Sequence, residues 1–70
     1  MIFRDKPLGA VVNEVNRYRP GKIVVMNSEL GRRLVNGTFQ TDKLDDFVAQ
    51  VRQLFGADVR SLPGGIVLLS

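Results

Sequence analysis

The sequence predicts an α+β domain made of two β-α-β units, with one further strand closing the second unit. The first observation is a repeated apolar pattern, in which seven positions of the first half recur 36 residues later. The second is the spacing inside each copy, where apolar residues recur every three or four positions between two short apolar runs. The third is Pro63-Gly64-Gly65 between two apolar runs, which is typical of a hairpin. The repeated pairs are Phe3/Phe39, Leu8/Leu44, Val11/Phe47, Val12/Val48, Val15/Val51, Tyr18/Leu54 and Ile23/Val59.

The first unit begins with a short strand over Ile2–Arg4. We expect Asp5 to cap the first helix, because its carboxylate can accept from the free amides of a first turn. Pro7 then falls within that turn, where no intrahelical hydrogen bond is lost. The helix carries one apolar stripe, which predicts that Tyr18 is a core residue like the rest of it: Leu8, Val11, Val12, Val15 and Tyr18.

Pro20-Gly21 ends the first helix, and Lys22–Met26 predicts the strand that follows. Four successive apolar residues in this strand indicate that both of its faces are covered. Residues 27–31 indicate a turn, or a single helical turn capped by Asn27 or Ser28.

The second unit opens with an alternating strand over Arg33–Phe39, in which Val35, Gly37 and Phe39 share one face. Glycine inside a strand marks a bulge or a close approach of another element. Thr41 or Asp42 is expected to cap the second helix, whose stripe comprises Leu44, Phe47, Val48, Val51, Leu54 and Phe55. Gly56 ends this helix in the left-handed conformation, and strands at Asp58–Leu62 and Ile66–Leu69 form the terminal hairpin. These elements alone favour a ferredoxin-like single sheet.

The composition argues against an enzyme. The 70 residues allow one domain and include neither cysteine nor histidine, which removes the usual nucleophile–base pairs and transition-metal ligands. Asp42, Asp45 and Asp46 could share a cation, but their position in a first helical turn favours capping. No phosphate-binding glycine loop occurs. We therefore expect no catalytic residue, no metal and no cofactor, and the chain has no apolar run long enough to span a membrane.

The net charge of +3 is concentrated in the first half, where residues 1–35 hold seven basic and three acidic side chains. A basic half can bind nucleic acid or an acidic protein surface, and it can also be an ordinary solvated face. A small RNA- or DNA-binding domain is the alternative from another functional class. It is disfavoured because the aromatic signature of RNA-recognition strands and the glycine loop of KH domains are both missing. The glycosylation sequon Asn36-Gly37-Thr38 is discounted as a chance tripeptide.

Three segments that together span nearly the whole chain resemble a known family. They are Pro7–Tyr18 with Lys22–Val25, then Val35–Phe39 leading into Thr41-Asp42, and finally Leu62–Leu69. The chain resembles the C-terminal region of FecR-type anti-sigma regulators, which carries a short domain related to the secretin and TonB-dependent transporter N-terminal domain (STN). Asn16-Arg17-Tyr18 and the Gly-x-Phe of Gly37 and Phe39 are the most specific parts of the match.

The resemblance implies two helices sandwiched between a two-stranded and a three-stranded sheet, over residues 1–70 as one STN-like domain. It also implies a periplasmic module of a longer regulator anchored in the inner membrane of a Gram-negative bacterium. The implied partner is the signalling domain of an outer-membrane TonB-dependent siderophore transporter, and the implied output is sigma-factor control of iron uptake. The transporter's or secretin's own signalling domain is the alternative within the same superfamily. It is disfavoured because the "LLxGTGL"-like segment of those domains is replaced here by Leu54-Phe55-Gly56-Ala57-Asp58.

The resemblance and the charge distribution together suggest contact residues. Arg17, Arg19, Arg32 and Arg33 are the candidates, because basic side chains would complement an acidic partner. The family-motif residues Asn16, Tyr18, Gly37 and Phe39 are expected to be structural, with Asn16 tying down a loop backbone. Exposed strand edges are a further place where a partner could add a strand.

Overall fold

The computed structural model describes residues 1–40 and 43–70 and arranges their strands in two separate sheets. A two-stranded antiparallel sheet pairs β1 with β3. A three-stranded sheet has the order β2-β5-β4, with β2 parallel and β4 antiparallel to the central β5. The elements are β1 (Ile2–Pro7), α1 (Leu8–Tyr18), β2 (Lys22–Val25), α2 (Ser28–Gly31), β3 (Leu34–Thr38), α3 (Leu44–Phe55), β4 (Val59–Leu62) and β5 (Ile66–Leu69).

Helix α1 contacts β1 and β3 of one sheet and β2 of the other, so it lies between the two sheets. The α+β class and the sandwich of helices between a two-stranded and a three-stranded sheet are confirmed. The ferredoxin-like single sheet is wrong, because β1 pairs with β3 and β2 pairs with β5. Each β-α-β unit therefore divides its strands between the two sheets.

The core combines buried residues of the helical stripes with buried residues of the strands. Phe39 makes an edge-to-face contact with Phe47 of α3, with ring centroids 5.2 Å apart, and a tilted contact with Phe3 of β1 at 5.9 Å. These rings join the two-stranded sheet to α3. The other buried apolar side chains include Leu8, Val11, Val12, Val15, Ile23, Leu30, Val35, Val51, Val67 and Leu69.

The start of α1 differs from the prediction. Strand β1 extends to Pro7, which is the N-cap residue of α1, so Asp5 lies in the strand and does not cap the helix. The register of β1 against β3 shifts between Phe3 and Lys6, and Asp5 has a φ of 47° in this bulge. Asn36 of β3 stabilises the bulge, since its Oδ1 accepts from the amide of Asp5 at 2.9 Å. Asp5 thus lies in a β-bulge, for which local helix-capping rules offer no signal.

The middle of the chain follows the prediction more closely. Asn27 caps the short α2, and its Oδ1 accepts from the amides of Glu29 at 2.9 Å and Leu30 at 3.3 Å. In β3, Val35 is buried while Leu34 and Asn36 are exposed, as the alternation indicates. The bulge expected near Gly37 lies on the opposite strand.

The end of the chain also agrees with the sequence. Helix α3 ends at Gly56 in the left-handed conformation, with φ 63°. Gly64 and Gly65, both with positive φ, turn β4 back into β5. Of the expected caps of α3, Thr41 and Asp42 lie outside the described residues, as does the side chain of Asp45. The residue that precedes the helix is Lys43, which makes no side-chain cap hydrogen bond.

The prediction that the strand after α1 is covered on both faces is wrong. β2 ends at Val25, and Met26 is 62% exposed. β2 is an edge strand whose inner residue Ile23 faces the core, while Val24 on the outer face is only half-buried. The four successive apolar residues are thus divided between a core-facing side, with Ile23 and Val25, and an outer side, with Val24 and Met26, that is only partly buried.

Candidate interaction surface

The four candidate arginines do not form one cluster. Arg32 and Arg33 follow α2, and the carbonyl of Arg33 accepts from the amide of Leu8 at 2.8 Å, which places them at the N-terminal end of α1. Arg17 and Arg19 lie at its C-terminal end. At about 1.5 Å per residue, the length of α1 separates the two pairs by roughly 15 Å. The structure therefore offers two separate basic sites.

Arg19 is held by the fold. Its Nη1 donates to the carbonyls of Pro20 and Gly65, at 3.1 Å in each case. The side chain thus joins the end of α1 to the β4–β5 turn, and it is only partly exposed. Arg17, in contrast, has a 75% exposed side chain whose only recorded ion pair among the described residues is a long 3.9 Å contact with Glu14. Arg17, Arg32 and Arg33 are the exposed members of the predicted contact set.

Asn16 has a structural role, at a strand and not at the loop expected from the sequence. Its Oδ1 accepts from the amide of Ile23 at 2.9 Å, and its Nδ2 donates to the carbonyl of the same residue at 3.0 Å. Lys22 and Met26 direct their amides toward β5, so the backbone groups of Ile23 point to the opposite, free edge of β2. The side-chain amide of Asn16 occupies the position that a neighbouring strand would take.

Tyr18 is not a core residue. It is 59% exposed, and its repeat partner Leu54 is 68% exposed. The repeat pairs the two positions correctly, and both lie in the last turn of their helix. Near the end of each helix the apolar stripe therefore includes a position, Tyr18 or Leu54, that is not part of the core.

Of the remaining family-motif residues, Phe39 is buried in the core, whereas Gly37 is an exposed residue of β3. Gly37 pairs with Phe3 and has a φ of 147°, a conformation that side chains rarely adopt. A Cβ on Gly37 would lie 3.7 Å from the Phe39 ring, so the space alone would tolerate alanine. Backbone conformation is therefore the reason for glycine at this position.

The outer face of the three-stranded sheet carries several incompletely buried apolar side chains. Val24, Ile66 and Leu68 are half-buried on this face, and Leu62 is 40% exposed. A depression of about 400 Å³ opens beside them, lined by Met26, Asp58, Val59, Arg60, Leu68 and Ser70. This face of the sheet is accessible at the side where β4 lies.

The outer edge of β4 was not singled out by the sequence. Asp58 and Ser70 exchange both backbone hydrogen bonds, at 2.8 and 3.0 Å. In an antiparallel ladder the bonded pairs alternate, so Arg60 and Leu62 also face β5, and the backbone groups of Val59 and Ser61 point outward. None of the hydrogen bonds among the described residues uses these outward groups. The alternating charge of Asp58 and Arg60 is the one sequence signal that marks this edge.

The described residues contain no group of three or more His, Cys, Asp or Glu side chains placed to hold a metal ion. Asp46, one of the three acidic residues considered, is exposed on α3. None of the helices in residues 1–40 and 43–70 has the length and apolar character needed to cross a membrane.

In class, the chain is an α+β sandwich of two small sheets with helices between them. No protein-family model matches the chain, and no curated protein matches it either.

Proposed function

We propose that this chain is the periplasmic interaction module of a FecR-type transmembrane anti-sigma regulator. It receives a signal from the signalling domain of an outer-membrane TonB-dependent siderophore transporter, and the regulator then controls sigma-factor-dependent iron-uptake transcription.

The observation that supports the proposal most is the division of the strands between two sheets. The order of elements alone favours a single ferredoxin-like sheet, whereas the family resemblance implies a two-stranded and a three-stranded sheet around the helices. The observed fold agrees with the second expectation. Because a fold can serve unrelated functions, this agreement supports membership of the superfamily more strongly than it supports a particular partner.

The family-motif stretch Asn16-Arg17-Tyr18 gives a second line of support. Asn16 faces inward and binds β2, whereas Arg17 and Tyr18 on the same helical turn are exposed. Arg and Tyr are residue types enriched at protein interfaces. The turn therefore combines a structural residue with two side chains available for a partner.

The test is a titration of the isotopically labelled chain with signalling domains of TonB-dependent transporters from the same bacterium, followed by NMR. We expect saturable binding, with the largest shift changes near Arg17 and Tyr18 or near Arg32 and Arg33. Charge reversal at the responding site should weaken binding at least tenfold, because it places like charges across the interface. Arg52→Glu is the control, since Arg52 is an exposed arginine in the last turn of α3.

Three outcomes would count against the proposal. The first is the absence of binding to every signalling domain at several hundred micromolar. The second is tight binding to single-stranded RNA that weakens steeply with salt, which would identify a nucleic-acid module instead. Binding to the periplasmic part of a FecR-type regulator, without binding to a transporter domain, would place the chain on the transporter side.

A further inference from the structure

We propose that two copies of this chain pair through the free edge of β4, in an antiparallel register centred on Val59, to form a continuous six-stranded sheet. This inference concerns self-association and does not rest on the proposed function.

The first step is that β4, among the described strands, has an outer edge without a bulge and without a side chain bonded to its backbone groups. The opposite edge of the same sheet is closed at Ile23 by the side chain of Asn16. In the two-stranded sheet, β1 is interrupted by the bulge at Asp5, and β3 contains Gly37 at a φ of 147°. Bulges and covered edges disfavour the addition of a strand, whereas an uninterrupted row of outward amides and carbonyls favours it.

The second step is the choice of register. Only Val59 and Ser61 of β4 direct their backbone groups outward, so a two-fold pairing of β4 with itself must be centred on Val59, Arg60 or Ser61. A centre at Arg60 places the two Arg60 side chains directly opposite each other, which is destabilising. A centre at Ser61 places Arg60 opposite Leu62, so Arg60 has no oppositely charged side chain across the contact.

The third step is that a register centred on Val59 gives each charged side chain of this segment, Asp58 and Arg60, an oppositely charged partner in the second copy. It places Asp58 of each copy directly opposite Arg60 of the other, in the non-hydrogen-bonded positions where side chains are closest. The sequence Asp58-Val59-Arg60 is thus complementary to itself in the antiparallel direction. Neither side chain forms an ion pair with another described residue, so both are available to a second copy.

The chemistry of the neighbouring residues fits the same arrangement. Asp58 and Arg60 lie on the outer face of the sheet, beside the half-buried Leu68 and the accessible depression. Pairing two edges would extend this apolar outer face across both copies while each core remains unchanged. The contact is short, so a weak dimer is expected, with a dissociation constant of roughly 10 to 500 µM, since interfaces of small area are typically weak.

The experiment measures self-association by sedimentation equilibrium from 10 µM to 1 mM, together with amide hydrogen exchange. We expect a monomer–dimer equilibrium, and protection of the Val59 amide that rises with protein concentration. Asp58→Arg should weaken the dimer roughly tenfold or more, because it places two pairs of like charges in cross-strand contact. The double variant Asp58→Arg with Arg60→Asp should restore association, because the strand is again complementary to itself.

Asp46→Arg makes the same change of charge at an exposed site at the start of α3 and serves as the control. Circular dichroism of each variant confirms that it is folded. A chain that stays monomeric at 1 mM would overturn the proposal. So would a dimer that Asp58→Arg weakens no more than Asp46→Arg, or one that the double variant fails to restore.

Discussion

Replacing Asn16 with alanine tests how much the side-chain closure of β2 contributes to stability. The substitution removes both hydrogen bonds to the backbone of Ile23, a residue that is 1% exposed. Each such bond contributes about 0.5–1.5 kcal/mol net, and buried partners left without a bond add to the loss. Alanine's higher helix propensity returns up to about 0.7 kcal/mol. We therefore expect the free energy of unfolding to fall by about 2 kcal/mol.

A domain of this size has little stability in reserve, so a loss of about 2 kcal/mol should lower Tm by roughly 10 °C. Urea denaturation followed by circular dichroism measures the change, and hydrogen exchange at the Ile23 amide localises it. Asn13→Ala is the matched control, because Asn13 is an exposed asparagine on the same helix with no recorded hydrogen bond of its side chain. If the two variants have equal stability, or if Ile23 keeps its protection in Asn16→Ala, the reasoning fails.

Three further substitutions test other parts of the structure by thermal denaturation. Gly21→Ala should destabilise the fold by roughly 1–3 kcal/mol more than Gly64→Ala. The two glycines have nearly the same φ, 87° and 86°, but only at Gly21 would a Cβ overlap the carbonyl of Gly65. Equal losses of stability would contradict this prediction. Tyr18→Ala should change stability by no more than about 0.5 kcal/mol because the side chain is exposed. A large loss of stability would show that Tyr18 packs against the core after all. Phe39→Ala should cost about 3–5 kcal/mol and leave the isolated chain largely unfolded, since the ring is buried between two others; a cooperative transition near the wild-type Tm would refute that role.

The sequence predicts the helices and the terminal hairpin because their signals are local. A stripe of 3.6-residue period requires one buried helical face, and Gly56 supplies the left-handed end of α3. The Asn27 cap and the turn at Gly64 and Gly65 are likewise decided by residues within a few positions of each other. Such elements need no knowledge of the rest of the fold.

The pairing of strands depends on distant residues, so the periodic pattern could not assign it. Asp5 has the chemistry of a helix cap, but its amide is held by Asn36, which is 31 positions away. Tyr18 continues the helical stripe, but only the positions of the sheets decide where the core ends. The choice of two sheets over one came from the family resemblance, which carries information about long-range pairing that local spacing lacks.

The candidate contact residues divide in the same way. Charge counting identifies a basic half but cannot separate Arg19, whose guanidinium binds two carbonyls, from the exposed Arg17. It also cannot recognise that Asp58 and Arg60 border an open strand edge, because that depends on which strand lies at the centre of the sheet.

The closure of β2 by Asn16 also sets a limit on assembly. A sheet with two open edges can add copies at both ends and grow into a filament, whereas a sheet with one open edge is complete after a single two-fold pairing. In the pairing proposed above, the side-chain amide of Asn16 therefore blocks strand addition at Ile23 and favours a finite pair over a polymer. Loss of Asn16 would then expose a second growing end, and the variant would be prone to form fibres under conditions where the parent chain stays soluble.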